Sequence, residues 1–257
     1  MQKGFDKKVL SIIKQWLKAP VIKVEEGRKT NIGGGKKNGK GTPQGGVISP
    51  LLANIYLNIL DRIWDRNGLI EKYNARLVRY ADDMVILCKR DTQAVYAILQ
   101  RVLGKLDLKL NEDKTQIKDS RKESFDFLGF SVRIATGKQS GKDFPLIEPS
   151  AKALKSIKEE IKFKDRRELN PMAIDAIVNN LNQTVRGWSQ YFHYGYGHRK
   201  LKKVKYYMEE SVRRHLRYKH KLVNRGRAYQ QFPRSFIYDY LGLYKVPTTP
   251  VWKGVHA

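Results

Sequence analysis

Leu77-Val78-Arg79-Tyr80-Ala81-Asp82-Asp83-Met84-Val85-Ile86-Leu87-Cys88 places two adjacent acids between two apolar segments. Both flanks are rich in β-forming residues and Asp favours tight turns, so the stretch predicts a buried β-hairpin with the acids at its tip. Two neighbouring anions repel each other, and a cation bound at the tip would remove that cost. Carboxylate oxygens suit Mg²⁺, and a pair of such ions aligns phosphoryl transfer in many enzymes. A solvated Asp-Asp turn is the alternative, and these residues alone do not decide between the two.

A glycine-rich segment lies upstream, at Gly41-Thr42-Pro43-Gln44-Gly45-Gly46-Val47-Ile48-Ser49-Pro50. Ser49 is a good N-cap and Pro50 suits the first helical position. Apolar residues at helical spacing follow, at Leu51, Leu52, Ile55, Ile59, Leu60 and Ile63. The glycines let the backbone approach another group, and the helix N-terminus favours an anion. An ordinary loop with a helix cap is the alternative interpretation.

Taken together, these segments resemble the reverse transcriptases of group II introns. The resemblance rests on residues 41–58 and on Tyr80-Ala81-Asp82-Asp83. Two later blocks match in order, Leu110-Asn111-Glu112-Asp113-Lys114-Thr115 and Phe125-Asp126-Phe127-Leu128-Gly129-Phe130. Residues 179–192 resemble the maturase-specific region of the same family, so the resemblance covers nearly the whole chain.

The resemblance implies an α+β fold, with a partial right-hand polymerase palm of antiparallel strands and helices before an α-helical thumb and maturase domain. We expect the palm at 1–133, a connection at 134–149 and the helical RNA-binding region at 150–257. By family resemblance, Asp82 and Asp83 are catalytic and bind Mg²⁺. Lys114 would lie near the nucleotide phosphates, although a solvated lysine is the alternative. The implied nucleotide and template pocket consists of Thr42, Pro43, Gln44, Gly45, Gly46, Tyr80 and Ala81.

One expected part of the family pattern does not match. Family polymerases carry a further aspartate on a strand upstream of the glycine-rich loop, and Asp6 has too few residues before it to provide that strand. Glu25, Glu26, Asp61 and Asp65 lie at the wrong places by pattern. We therefore expect the C-terminal part of such an enzyme, from a split gene, a degraded gene or an incomplete sequence. A two-metal site needs ligands from more than one direction, so we expect little polymerase activity without a separate N-terminal fragment.

The chain is strongly basic, with 51 Lys and Arg against 25 Asp and Glu and a net charge of +26. Such an excess usually signals a polyanionic partner, and aromatic residues interleaved with the charges can stack on unpaired bases. A solvated basic face or an acidic membrane surface is the alternative. The candidate RNA-binding residues are Arg186, Trp188, Tyr191, Arg199, Lys200, Lys202, Lys203, Arg213, Arg214 and Arg217.

No apolar stretch approaches the length of a transmembrane span and no secretory signal pattern opens the sequence, so we expect no membrane partner. The single cysteine, Cys88, suits a reducing compartment. We expect the bacterial cytoplasm, with an organelle as the alternative.

The sequence predicts helices near 6–18, 50–65 and 92–107, a loop at 27–46 and a hairpin at 76–88. Residues 135–149 predict a connection or an exposed hairpin. Ser150 caps the next predicted helix and Asn170-Pro171 the one after it. A further helix is expected at 198–218, whereas the tail from Phe232 carries several prolines and is expected to be irregular.

Two functions remain open. The first is an RNA-directed DNA polymerase that uses dNTPs, an RNA/DNA primer-template and two-Mg²⁺ nucleotidyl transfer, and that binds group II intron RNA to aid splicing and mobility. The second is an RNA-binding splicing maturase module with a vestigial polymerase site. The presence of Gln44, Asp82, Asp83 and Lys114 favours the polymerase.

Overall fold

The computed structural model describes residues 6–25, 28–33, 47–164 and 172–249. The chain divides into two compact units, a first unit of Met1–Thr115 and a second unit of Gln116–Ala257. Helices and antiparallel strands occur in both, which confirms the α+β class. The domain limits expected at 133 and 149 stay predictions. Within the described ranges, no helix is both long enough and apolar enough to cross a bilayer.

The elements of the first unit are α1 Lys7–Lys18, β1 Val21–Glu25, β2 Arg28–Gly33, α2 Ser49–Arg66, α3 Leu69–Tyr73, β3 Arg76–Tyr80, β4 Asp83–Leu87 and α4 Thr92–Lys105. The elements of the second unit are β5 Phe125–Phe127, β6 Phe130–Thr136, β7 Asp143–Pro149, α5 Ala151–Lys164, α6 Ile174–Phe192, α7 His198–Lys219, α8 Arg225–Gln231 and a π-helix at Phe236–Tyr240.

The core of the first unit forms where α2 and α4 meet the β3–β4 hairpin. Leu60 and Trp64 of α2 and Leu99 of α4 are buried together. The Trp64 indole N–H donates to the carbonyl of Ala75, 2.9 Å away, so its one polar atom is satisfied. Burial of each large apolar side chain contributes about 1.5–3 kcal/mol. This core fixes the base of the hairpin that carries the two acids.

The core of the second unit is helical. It is formed by residues of α5, α6, α7 and the tail, including Ile157, Ile161, Leu181, Val185, Leu201, Val204, Met208, Val212 and Ile237. Their spacing follows the helical period that the sequence shows. The predicted α5 cap is confirmed, because the Ser150 hydroxyl accepts a hydrogen bond from the Ala153 N–H at 3.1 Å.

Strands β5, β6 and β7 form one antiparallel sheet in that order. Residues 135–149 therefore belong to a hairpin, one of the two predicted alternatives, and its first strand begins at Phe130. The sheet is joined to the helices through its backbone, since the Tyr196 N–H donates to the Ile147 carbonyl and the Ser150 N–H donates to the Gly129 carbonyl, each at 2.9 Å.

Two sequence predictions about local structure were wrong, and a third lies outside the described residues. β2 occupies part of the predicted loop 27–46 and pairs with β1. Ser49 is not the N-cap of α2 but its first helical residue, and Ile48 occupies the cap position without a side-chain hydrogen bond. Helix α6 begins after Ala173, and the predicted cap at 170–171 lies outside the described residues.

The predicted irregular tail is only partly correct. Residues 236–240 form a π-helix, whereas 241–249 form no helix or strand, as the prolines predict, and yet pack into the second unit. Ile237 in the π-helix is fully buried, and Leu241, Leu243 and Val246 are each at most 7% exposed. Burial of these apolar side chains outweighs the weak local helix preference of the segment.

Candidate functional site

The two acids lie at the tip of the β3–β4 hairpin, as the sequence predicts. Tyr80 pairs with Asp83 across the antiparallel strands, so Ala81 and Asp82 form a two-residue turn. Ala81 has a φ of 52°, a left-handed value that tight hairpin turns need at their first position. The side chains of Asp82 and Asp83 are both exposed, which leaves two carboxylates available to a cation.

The hairpin is buried on one face only, whereas the sequence predicted a buried hairpin. Leu77 and Ile86 face inward and pack against the core formed by α2 and α4. The outer face carries Val78, Tyr80 and Leu87, which are 45%, 66% and 50% exposed. Strand side chains alternate between faces, and among the described residues helices pack against the inner face only. The outer face is an exposed apolar surface beside the acids.

Asp82 and Asp83 are the candidate Mg²⁺ ligands of the chain. Among the described residues, no group of three or more His, Cys, Asp or Glu side chains lies close enough to hold a metal ion. The turn therefore offers two carboxylates from one direction. Mg²⁺ completes its octahedral shell with water and substrate phosphate, so two carboxylates suffice for one ion, whereas a two-ion site needs further ligands.

The other predicted residues of the polymerase site are less fully described. The Lys114 side chain is exposed, and its backbone N–H donates to the Asn111 carbonyl at 3.1 Å. Its position beside nucleotide phosphates stays a prediction. Tyr80 and Ala81 lie at the acidic turn. The remaining predicted pocket residues, Thr42, Pro43, Gln44, Gly45 and Gly46, lie outside the described residues.

The candidate nucleic-acid surface begins at the N-terminal end of α7. Arg199, Lys202 and Lys203 are exposed there, as a phosphate-contacting surface requires. Lys200 instead lies 3.4 Å from Glu148 of β7, and its side chain is 26% exposed. That ion pair partly neutralises Lys200 and links α7 to the sheet.

Helix α6 carries three of the predicted RNA contacts. The Arg186 guanidinium lies over the Tyr244 ring, 5.2 Å from its centroid, and the residue is exposed. Tyr191 is 54% exposed, and its hydroxyl donates to the Leu128 carbonyl at 3.0 Å. Trp188 is half-buried and packs against the core of the second unit. Arg186 and Tyr191 are therefore accessible to a ligand, whereas Trp188 mainly serves the core.

Arg213 contradicts its predicted position on an exposed basic face, because its side chain is only 5% exposed. Its guanidinium donates to the Phe232 carbonyl at 3.1 Å and to Glu210 at 2.9 Å. It also lies 4.4 Å from the centroid of the Tyr229 ring. A buried guanidinium needs such partners because its desolvation is costly. Arg213 thus fastens α8 to α7.

A groove of about 360 Å³ opens beside Arg213, between α7 and α8. Four arginines, one glutamate and two tyrosines line it, namely Arg213, Arg214, Arg217, Arg225, Glu210, Tyr206 and Tyr229. The excess of positive charge suits an anionic ligand. Arg225 was not predicted from the sequence, since α8 has only seven residues and one buried position and so shows no apolar period.

Glu210 is the acid of this groove. It accepts hydrogen bonds from Arg213, Arg225 and Tyr229. Burial raises the pKa of the Glu210 carboxyl, but the bonds from these three residues outweigh burial and hold the pKa below its usual value. Burial and the bond to Glu210 raise the pKa of the Tyr229 hydroxyl. Ionised Glu210 therefore orders the side chains of Arg225 and Tyr229.

Two family models match the chain. The model described as reverse transcriptase (RNA-dependent DNA polymerase) matches residues 2–132, just over half of the sequence. The model described as group II intron, maturase-specific domain matches residues 154–232. The first match contains the acidic turn, and the second contains the groove between α7 and α8.

Three curated relatives are similar to this chain in sequence. Protein YkfC of Escherichia coli (strain K12) is 36% identical over 121 residues, covering 35% of this chain and 32% of that protein. Group II intron-encoded protein LtrA of Lactococcus lactis subsp. cremoris is 26% identical over 299 residues, covering 84% of this chain and 48% of that protein. An uncharacterized 91 kDa protein in the cob intron of Schizosaccharomyces pombe is 22% identical over 272 residues, covering 78% of this chain and 34% of that protein.

The chain therefore spans less than half the length of each of these relatives. The two family matches follow each other along the chain in the order that the sequence motifs predict. This chain belongs to the reverse transcriptase family, in the group II intron type that combines a reverse transcriptase with a maturase-specific domain.

Proposed function

We propose that this chain acts in RNA-directed DNA synthesis for a group II intron and binds the intron RNA to aid splicing. The observation that carries the proposal is the exposed Asp82-Asp83 pair at a hairpin tip, inside the residues that match the reverse transcriptase family. Asp82 and Asp83 would hold Mg²⁺, which stabilises the charge that develops on the transferring phosphoryl group. The substrates would be a dNTP and an RNA/DNA primer-template.

The chain's own residues would position these substrates. Tyr80 and Ala81 form the surface of the turn next to the acids, where the primer terminus would lie. Lys114 would contact nucleotide phosphates, and Gln44 would line the pocket for template and nucleotide. The side chains of Tyr80 and Lys114 are exposed and therefore accessible to such ligands.

The second unit would bind RNA through contacts of basic side chains with phosphates and stacking of aromatic side chains on bases. Arg199, Lys202 and Lys203 would contact phosphates, and Tyr191 would stack on an unpaired base. The arginine-lined groove between α7 and α8 would add a further phosphate contact. Its net positive lining supports that assignment.

We also propose that further reverse transcriptase sequence, in the same protein or in a separate N-terminal fragment, covers part of the first unit. Helix α1 has no buried residue. It exposes five large apolar side chains, Val9, Leu10, Ile12, Trp16 and Leu17. Contiguous apolar surface of this kind is typical of a protein interface. The covering sequence would add metal ligands from a second direction, so the chain alone would have little polymerase activity.

Primer extension tests the polymerase proposal. The full chain is incubated with Mg²⁺, an RNA template and a labelled DNA primer, with and without a polypeptide that carries the N-terminal reverse transcriptase region of a longer relative. We expect weak extension alone, recovery with the added polypeptide, and loss of extension in Asp82→Asn. Extension that survives Asp82→Asn would disprove the role of the turn. Strong extension by the chain alone would disprove the need for further sequence.

A splicing maturase with a vestigial polymerase site is the second candidate. It is favoured by the two-carboxylate turn, which lacks a third acid among the described residues, and by the separate packed core of the second unit. This candidate predicts tight intron binding that survives Asp82→Ala, together with no extension under any condition. Filter binding across salt concentrations measures it, and a flat salt response would count against phosphate contacts.

A further inference from the structure

Arg79 joins the acidic turn to helix α2. Its side chain is 11% exposed. The guanidinium donates to both carboxylate oxygens of Asp61, at 3.0 and 2.5 Å, and to the side-chain oxygen of Asn54 at 2.8 Å. The nitrogen that reaches Asn54 also donates to the backbone carbonyl of Ala81 at 2.8 Å. One side chain thus connects a carboxylate and an amide of α2 with the backbone of the turn.

The α2 end of this connection is rigid. Asn54 and Asp61 lie two helical turns apart and so share one face of α2. Leu60 and Trp64, on the same helix, are buried in the core of the first unit. The forked contact to Asp61 fixes the plane of the guanidinium, which a single contact would leave free to rotate.

The turn end has few other supports. In the described parts of the chain, β3 and β4 pair only with each other, and the outer face of their hairpin is exposed. Ala81 holds a left-handed φ of 52° that costs a non-glycine residue free energy. Its carbonyl immediately precedes Asp82, so a bond to that carbonyl constrains where the first acid lies.

We propose that Arg79 is a positioning residue that fixes the backbone of the acidic turn, so that Asp82 and Asp83 are held in place for a metal ion. The inference rests on the proposed function of those two acids as metal ligands. Arg79 itself does not contact the metal or the substrate. Its role depends on the geometry of its fork as well as on its charge, so a lysine cannot replace it.

The test compares Arg79→Met, Arg79→Lys and Asp61→Asn with Arg76→Met in the full chain. Arg76 lies on the same strand, but it faces outward and is exposed, so its replacement removes equal charge without touching the turn. Electron paramagnetic resonance measures Mn²⁺ affinity. The binding that is lost in Asp82→Asn is the fraction that depends on the turn. Hydrogen exchange is measured over residues 79–84, with α4 as the internal reference for folding.

We expect both Arg79 variants to weaken turn-dependent Mn²⁺ binding about 10- to 100-fold, the usual effect of losing a group that orients metal ligands. In these variants hydrogen exchange at residues 79–84 rises while α4 stays protected. Asp61→Asn gives smaller changes in affinity and exchange, and Arg76→Met matches the unchanged protein in both. The inference is overturned if Arg79→Met keeps both the affinity and the exchange rates of the unchanged protein, or if Arg79→Lys restores them.

Two further outcomes separate this inference from the proposed function. If the unchanged chain and Asp82→Asn bind Mn²⁺ equally, the proposed metal site fails, and the exchange rates alone decide whether Arg79 holds the turn. If α4 loses protection in Arg79→Met, that variant has unfolded. The Mn²⁺ affinity and exchange rates of Asp61→Asn then decide whether Arg79 positions the turn. We expect this variant to stay folded, because Asp61 is 31% exposed and the substitution leaves no unpaired acid beside Arg79.

Discussion

Gly195 lies where the connection between α6 and α7 passes strand β7. It has a φ of 59°, and a Cβ atom there would lie 2.8 Å from the Ile147 carbonyl oxygen. The same oxygen accepts the Tyr196 N–H. An alanine at this position would combine left-handed strain with a backbone clash at a hydrogen bond that joins helices to sheet.

We therefore expect Gly195→Ala to lower the free energy of unfolding by about 2–4 kcal/mol, from strain and overpacking together. Gly141 is the matched control, since it has a φ of 64° and no atom within 4 Å of the added Cβ. Gly141→Ala should cost only about 1–2 kcal/mol of strain. Urea unfolding measures both, and equal losses would contradict the close approach to Ile147.

The acidic turn could be predicted from sequence because adjacent acids between apolar β-formers are a local signal. Arg79 could not, since its partners Asp61 and Asn54 lie 18 and 25 residues away and meet it only in the folded unit. Arg213 shows the same limit. Its charge predicts exposure, whereas the Phe232 carbonyl that accepts its hydrogen bond lies 19 residues further along and meets it only in the folded unit.

The connection between α7 and α8 depends on an ionised carboxylate. The pKa of Glu210 is lowered in the folded chain, so folding favours its charged form. The resulting stability is present above the ordinary pKa of about 4.5 and is lost as the pH falls through the lower folded value.

Glu210→Gln is expected to cost about 1–3 kcal/mol at pH 7, because Arg225 and Tyr229 lose a charged hydrogen-bond partner. The loss should shrink as the pH falls below about 4.5 towards the lower folded pKa, where Glu210 of the unchanged folded protein also becomes protonated. Thermal unfolding from pH 7 to pH 3 measures the difference. A stability gap that stays constant over this range would contradict the ionised role of Glu210.

The tail after α8 is a core element. Ile237 is fully buried in the second unit, so Ile237→Ala should cost about 2–5 kcal/mol. Val223, an aliphatic residue that is 82% exposed, is the control, and Val223→Ala should change stability by less than about 0.5 kcal/mol. Similar losses in urea unfolding would mean that the tail is not part of the core.

Long helices were predictable, whereas several short elements were not. Helices α2, α4 and α7 show apolar residues at helical spacing over several turns, which tertiary packing then confirms. Strand β2 was predicted as loop because Arg28–Gly33 lacks alternating apolar residues. The π-helix was missed because prolines nearby signal breaks, whereas the burial of Ile237 depends on distant residues.

At the scale of the whole molecule, the net charge of +26 predicts salt-sensitive RNA binding. Each lost phosphate contact should reduce the salt slope by about one, so the triple alanine variant of Arg199, Lys202 and Lys203 should lose up to about three. Lys200→Ala should change it less, because Lys200 already pairs with Glu148. Filter binding at several salt concentrations measures the slopes. Identical slopes for the triple variant and the unchanged protein would mean that these residues do not contact RNA phosphates.

The proposed function requires that the acidic turn hold a divalent metal ion next to a bound primer-template. Fe²⁺ substituted for Mg²⁺, with ascorbate and peroxide, generates hydroxyl radicals that cut the backbone beside the metal. Mass spectrometry of the full chain with an RNA/DNA primer-template should show cleavage within residues 80–84. Excess Mg²⁺ and the double variant Asp82→Asn, Asp83→Asn should both suppress it. Cleavage elsewhere with none at the turn, or cleavage at the turn that survives the double variant, would contradict the claim.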